Sequence, residues 1–370
     1  MKIAVTGAKG LVGWHASARL HAQNCAARYR GEAEPFELVQ IDQEEAQRDR
    51  LPGYLQGVDA ILHFAGINRG EEAEVETGNP AISRSLIDAC KAAEVNPHIV
   101  YANSTHAASD TPYGRSKRIA GELLDDFADK YTNLVMPHIF GECARPYYNN
   151  VTATLIDKLW KGETPDLNPD GRVQLLHAGE AAQLAIDAVL NGMTGTIAPA
   201  GRDTSVPDLW QILKGFHDSY TANIFPPLAD PFEVALFNSY RVGGYPDRYP
   251  MMLTVNADHR GALFETAKGG TAAQSFISTT KPGKVRGDHF HYDLVERFLV
   301  VQGKAAIRIR RVLTDEVHEF IVDGDKPAAI DMPPLHTHHI ENISDEDVVT
   351  FFWSHHLFDP ANPDTYADPV

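Results

Sequence analysis

The chain has 370 residues, 33 Lys+Arg against 50 Asp+Glu, a formal net charge of −17 and 43% hydrophobic residues. That length fits two domains better than one, and the hydrophobic share supplies real cores, which excludes a disordered chain. The acidic balance excludes a basic grip on nucleic acid or on an anionic membrane surface. An anionic substrate must therefore meet local cations. Cys25, Cys90 and Cys143 form no CxxC pattern, which fits a reducing, cytoplasmic setting rather than a disulfide scaffold. The first apolar run, Ile3 to Val5, follows Met1 directly and reads as a strand, not a signal peptide. No apolar run is long enough to span a membrane.

In chain order, Lys2–Thr6, Phe36–Ile41, Ala60–Phe64, His98–Asn103 and Leu134–His138 read as strands. Helical stretches, including Gly10–Gln23, Asn79–Ala93 and Tyr113–Lys130, lie between them. This alternation predicts right-handed crossovers and a Rossmann-like, doubly wound parallel α/β sheet. The Pro-rich passage Ile224 to Pro250 reads as a linker or domain edge. After it come short alternating runs: Thr271–Thr280, Val295–Val301, Ala305–Arg311, Val317–Val322, Ala328–Met332 and Val348–Ser354. Their spacing predicts an all-β barrel or jelly roll. The expected domains are 1–245 and 246–370.

The first strand ends in Thr6-Gly7-Ala8-Lys9-Gly10-Leu11-Val12-Gly13. Glycines after a strand and before a helix let a pyrophosphate approach the backbone at the helix N-terminus. Asp42, closing the second strand, can take the ribose hydroxyls of NAD and would repel the extra phosphate of NADP. Tyr113 and Lys117 lie four apart, on one face of a helix. A lysine there can lower the tyrosine pKa, so that the phenol trades a proton with a substrate oxygen. Ser104-Thr105 supplies a hydroxyl at the C-terminal edge of the preceding strand, where ligands of open α/β sheets sit.

The segments TGAKGLVG, VDAILHFAGINR, NST and YGRSK, in that order, resemble the extended short-chain dehydrogenase/reductases. The resemblance implies Thr105, Tyr113 and Lys117 as the catalytic set, with Ser104 as the alternative hydroxyl. It implies Gly7, Gly10, Leu11, Val12, Gly13, Asp42, Ala65, Gly66, Tyr113 and Lys117 as cofactor-binding residues. Asn79 falls where the family often has an asparagine, and His138 stands where the family's Pro-x-Asn-x-Phe-Gly loop carries one.

Nine of the 17 histidines lie from His259 onward. Gly283-x5-His289-x-His291-x4-Glu296-x6-Gly303 is a fixed constellation. In a strand His289 and His291 would point to one face. Glu296 returns on the next strand, and His338, in Pro333-Pro334-Leu335-His336-Thr337-His338, is the best third histidine. Imidazoles with one carboxylate suit Zn, Fe, Ni, Co or Mn. The pattern resembles the two cupin motifs, with Leu335 replacing the glycine of the second. The segment Asp258-His259-Arg260-Gly261-x3-Glu265 resembles a stretch of cupin-class nucleotide-sugar epimerases, which makes Arg260 a substrate-binding candidate beside Lys281. Lys281, His336 and Asp288 are candidate bases for the epimerisation.

A reductase followed by a metal cupin resembles the bifunctional enzymes of capsular-polysaccharide biosynthesis. The resemblance implies that the cupin epimerises a UDP-4-keto-6-deoxy-N-acetylhexosamine at C3. The reductase then reduces the C4 ketone to UDP-2-acetamido-2,6-dideoxy-L-talose, on the way to UDP-L-FucNAc. NADPH is usual for that enzyme type, whereas Asp42 argues for NADH or a relaxed preference. One divalent metal, best read as Zn, and a homodimer complete the expectation. Two readings compete: a keto-sugar reductase whose cupin only pairs subunits and binds sugar, and a nucleotide binder without activity.

Overall fold

The computed structural model describes residues 1–370 except 48, 229, 260 and 270–272. The chain divides into two compact units, Met1–Thr154 with Leu167–Val206, and Leu155–Asp166 with Pro207–Val370.

The first unit opens with β1 (Lys2–Thr6), α1 (Leu11–Tyr29), β2 (Glu37–Ile41), α2 (Leu51–Leu55) and β3 (Ala60–His63). It continues through α3 (Glu72–Ala92), β4 (His98–Ser104), α4 (Pro112–Phe127) and β5 (Tyr131–Met136). With the short strand Gly195–Ile197, these five strands form one parallel sheet in the order β2, β1, β3, β4, β5 and 195–197. The expected doubly wound sheet is thus present. The chain reverses its direction of winding between β1 and β3, so the crevice for a ligand lies at their C-terminal ends. The sheet buries Ile3, Val5, Leu62, Val100 and Leu134 against the helices. These strands are apolar on both faces because helices cover both. Beside the sheet, the buried Glu142 carboxylate accepts from His177 Nε2 at 2.8 Å and lies 3.5 Å from His15 Nε2, tying α1 to the segment beyond β5.

The second unit contains two five-stranded, mostly antiparallel sheets. One runs Met251–Met252, Ala328–Met332, Glu296–Gln302, Val348–Ser354, Gln274–Thr280. The other runs Val317–Asp323, Lys304–Arg311, His336–Asn342, Val285–Phe290, Tyr366–Ala367. Their inner faces share a core of Phe298, Val300, Ile307, Ile309, Ile330, Ile340 and Phe352.

The segment expected as a linker contains a helix, Pro231–Val242. Asp230 caps it by accepting from the Glu233 N–H at 2.9 Å. The prolines that suggested irregular chain are partly a start signal, since proline at the first helical position lacks only an N–H that would be unpaired anyway. The helix buries Arg241 completely. Its guanidinium donates to Asn238 Oδ1, Met332 O and Leu294 O at 2.8, 2.6 and 3.2 Å.

A buried ion pair braces the same unit. Arg297 meets Asp331 through two parallel hydrogen bonds of 2.6 and 2.9 Å, and Tyr220 donates to the same carboxylate at 2.5 Å. The guanidinium also lies 4.5 Å from the Phe225 ring centroid. Removing one partner strands the other charge away from water. We expect Asp331→Ala to cost about 3–5 kcal/mol in urea denaturation. The double change Arg297→Met with Asp331→Leu should recover most of that loss. Equal losses in the two proteins would contradict the pairing as the source.

Candidate active site and metal centre

In the first unit the crevice is built by close backbone approach. Gly7 has φ +67°, and a Cβ there would sit 2.8 Å from Ala65 N. A Cβ on Gly13 would lie 2.1 Å from Gly7 O. Only glycine permits both the left-handed turn and the packing of α1 on it. Gly10 caps α1 with no side-chain hydrogen bond, and the first turn of α1 carries no acid of its own against the N–H groups there. Thr6 Oγ1 lies 2.6 Å from His63 Nδ1 and accepts the Ala65 N–H at 3.3 Å. Asn79 on α3 clamps the next loop, accepting the Ile67 N–H at 2.9 Å and donating to Ile67 O at 2.8 Å. It also donates to Ser116 at 2.9 Å, joining α3 to α4. Asp42 directly follows β2, and its N–H donates to Glu45 at 3.1 Å.

Lys117 is buried on α4. Its Nζ donates to Ala102 O at 2.5 Å and lies 4.1 Å from the Tyr101 ring centroid. A Cβ on Gly66 would lie 3.9 Å from that Nζ, so the ammonium reaches the loop after β3. Burial drops its pKa from 10.5 to about 7. Tyr113 precedes it by one turn. Burial raises the phenol pKa, and a hydrogen bond with the Ser104 side chain opposes the rise. The hydroxyl facing Tyr113 is thus that of Ser104, whereas Thr105 is exposed at the start of the short 3-10 helix Thr105–Ala108. His138 opens the strand His138–Phe140, and burial, then His106, lowers its pKa.

In the second unit His289, His291, Glu296 and His338 converge, with one donor atom from each lying within 4.8 Å of all the others. Glu296 Oε2 is 3.4 Å from His291 Nε2 and 3.6 Å from His338 Nε2. These three atoms are buried and have no well-formed hydrogen bond. Backbone holds the Nδ1 side of two rings, His291 donating to Asp364 O and His338 to His336 O at 3.2 Å, and His289 also hydrogen-bonds to the Gly287 backbone. Burial, then His338 and His291, lowers His289 to about 3. Burial pushes Glu296 up, but the close His291 and His338 rings hold it well below the usual carboxylate range. A buried anion among three imidazoles, two of them held by backbone through Nδ1, is a donor set that suits a divalent metal.

The local chain differs from the expected strand. The strand ends at Phe290, and His291 lies beyond it. Gly287 (φ +110°) and Asp288 (φ +58°) form a bulge that shifts the register, and His289 pairs with His338. The bulge re-aims the side chains, so convergence does not depend on simple alternation. Leu335, in place of the motif glycine, adopts φ +56° and so keeps the left-handed turn. Its N–H donates to His291 O at 2.8 Å. His336 turns away, with Nδ1 on Pro334 O at 2.8 Å and its ring centroid 5.2 Å from that of Tyr245.

A cavity of about 270 Å³ opens beside the cluster, lined by Gln274, Phe276, Leu294, His356, Phe358 and Asp364 among others. Of the expected bases, none lines it: Lys281 is exposed, His336 is buried against Tyr245, and Asp288 accepts from His339 Nδ1 at 2.9 Å. Arg260 lies outside the described residues. Sequence reasoning missed Asp364, whose carboxylate accepts the N–H groups of Tyr292, Asp293 and Leu294 at 2.7, 2.8 and 3.0 Å.

The depressed Lys117 pKa has a measurable consequence. Between about pH 7 and 10.5 the unfolded lysine holds a proton that the folded one lacks, so stability rises with pH across that window. Lys117→Met should lose this share of the slope in denaturation at pH about 7, 8 and 9. Identical slopes would contradict it.

Residues 3–197 match the NAD dependent epimerase/dehydratase family, and residues 256–366 match the polysaccharide biosynthesis C-terminal domain. The chain is 30% identical to the capsular polysaccharide assembling protein CapF from Staphylococcus aureus, with 100% of both chains covered and a TM-score of 0.59. A structure of CapF with the inhibitor 3-isopropenyl-tropolone is 27% identical, with the same coverage and a TM-score of 0.54. Among curated proteins, the UDP-2-acetamido-2,6-beta-L-arabino-hexul-4-ose reductase of Pseudomonas aeruginosa is 29% identical over 379 residues, covering 100% of this chain and 99% of the relative. No helix among the described residues is long and apolar enough to cross a membrane. The glycine turn, the buried lysine beside its tyrosine and the two matched regions lead to one assignment: the chain belongs to the NAD dependent epimerase/dehydratase family, among members that carry a polysaccharide biosynthesis C-terminal domain.

Proposed function

We propose that the chain is a two-step nucleotide-sugar enzyme of capsule or O-antigen polysaccharide biosynthesis. Its second unit, a metal cupin, epimerises a UDP-4-keto-6-deoxy-N-acetylhexosamine at C3. Its first unit reduces the C4 ketone to UDP-2-acetamido-2,6-dideoxy-L-talose, the precursor on the UDP-L-FucNAc route. The observation that carries this reading is the convergence of His289, His291, Glu296 and His338 beside a cavity, in a chain that also holds the Ser104–Tyr113–Lys117 set. The full-length likeness to a curated UDP-hexul-4-ose reductase supports the substrate class.

For the reduction, the turn Gly7 to Gly13 takes the cofactor pyrophosphate at the N-terminus of α1, with Ala65 and Gly66 against the dinucleotide. Asp42 takes the ribose, so the donor is NADH, or NADPH with relaxed preference. Tyr113 gives its phenolic proton to the C4 oxygen, Ser104 orients that oxygen, and Lys117 holds Tyr113 and the ribose. For the epimerisation, three imidazoles and one carboxylate fit a dication, with zinc favoured. A dication held there supplies the positive charge that polarises a ketone and acidifies the neighbouring C–H. The order follows from the chemistry: C3–H is acidic only while C4 is a ketone, so epimerisation precedes reduction. A homodimer and a cytoplasmic setting belong to the same reading and rest on the resemblance.

Two variants separate the two steps. Tyr113→Phe should abolish nicotinamide oxidation, by about 10²-fold or more, while leaving proton exchange at C3 intact. His289→Ala should abolish that exchange and leave reduction of an already epimerised ketone. If either single change removes both activities from a folded chain, the division of labour is wrong.

Asp364 gives a further test of the metal assignment. Asp364→Ala frees three backbone donors and loosens the carbonyl that orients His291. Competition with a chelator should show zinc affinity falling by about 10–100-fold. Unchanged affinity would show that the strap carrying Asp364 does not position the site.

A further inference from the structure

Besides the metal cluster, three titratable side chains line the cavity: His356, Asp359 and Asp364. Two are engaged. Asp364 accepts three backbone N–H groups, and Asp359 accepts the Ala361 N–H at 2.9 Å. His356 is different. The Val295 N–H donates to His355 Nδ1 at 3.1 Å, so that nitrogen carries a lone pair and the ring proton of neutral His355 sits on Nε2. His356 Nδ1 lies 3.3 Å from the same atom, so it is the donor of that contact. The Nε2 of neutral His356 then keeps its lone pair, and no hydrogen bond among the described residues engages it. In the strand ladder Glu296 stands opposite Ser354, two residues before His356. The ring is thus tied at one nitrogen, and His356, exposed, lines the same cavity as His289, His291 and Glu296.

We propose that His356 is the general base of this cavity, an assignment that rests on the epimerase reading above. Its Nε2 takes the proton from C3. The C3–H bond breaks, a C3=C4 double bond forms, and the carbonyl electron pair moves to the C4 oxygen. Water then returns a proton to the opposite face of C3 as the carbonyl reforms, and His356 releases its proton to solvent. Atoms and charge balance with water alone, and no oxidant or reductant is consumed.

The test uses the full chain loaded with zinc, without nicotinamide, in deuterium oxide, with the UDP-4-keto-6-deoxy sugar as probe. In His356→Ala and His356→Gln, deuterium entry at C3 should fall by about 10²–10⁴-fold while zinc content stays at the unaltered level. Added imidazole should restore exchange at least about tenfold in the alanine variant, where the ring has left room for it. Exchange within about threefold of the unaltered chain overturns the proposal. So does a loss that imidazole does not mend, or one that accompanies loss of zinc, since either makes His356 a structural support. Absence of exchange in the unaltered chain sinks the epimerase reading itself, and this role with it.

Discussion

The second unit is organised around one buried carboxylate. Glu296 is 7% exposed, and three imidazoles surround it in the all-β part of the unit. A charge removed from water must be compensated, and neutral imidazoles cannot do that alone. Either a ring takes up a proton, the direction His291 takes when its attraction to Glu296 outweighs burial, or a cation enters. The surroundings suit the second solution. Backbone carbonyls hold the far nitrogens of His291 and His338. Arg241 pins Leu294 and Met332, which flank Glu296 in chain and in register. Asp364 pins the turn 292–294. Each fixes a member of the cluster by fixing the backbone behind it.

The first unit solves the opposite problem, a buried cation. Lys117 has a carbonyl and an aromatic face but no carboxylate partner among the described residues, and burial leaves it poised near neutrality. A nearby anionic cofactor would raise its pKa again, so binding and lysine charge are thermodynamically linked. On the proposed function this coupling suits a tyrosine that must be protonated before reduction. The two units then perform reactions that one ketone makes successive, since the carbonyl that acidifies C3–H is the one the reductase consumes.

The alternation of strand and helix made the parallel sheet legible, because both of its faces are buried and its strands read as apolar runs. The glycine turn was legible because close backbone approach leaves no other residue. The four cluster residues were legible as a spacing of rare residue types. The bulge at Gly287 and Asp288 was not, since left-handed backbone at an aspartate leaves little trace in composition. Leu335 hid a turn that its φ of +56° preserves, because the surrounding hydrogen bonds hold a conformation the side chain disfavours. The helix Pro231–Val242 was masked by prolines that mark its start. Asp364 and His356 were invisible for a different reason: their roles come from a C-terminal strap whose contacts lie some 60–70 residues back in the chain.

On the proposed function the cavity beside Glu296 performs metal-dependent carbon-acid chemistry independent of hydride transfer. The most direct measurement is deuterium incorporation from solvent into the UDP-4-keto sugar, without nicotinamide, before and after chelation and after zinc is restored. On the proposed function deuterium enters at C3 alone, is lost on chelation and is recovered with zinc. Exchange that survives complete removal of metal, or none under any condition, would contradict it.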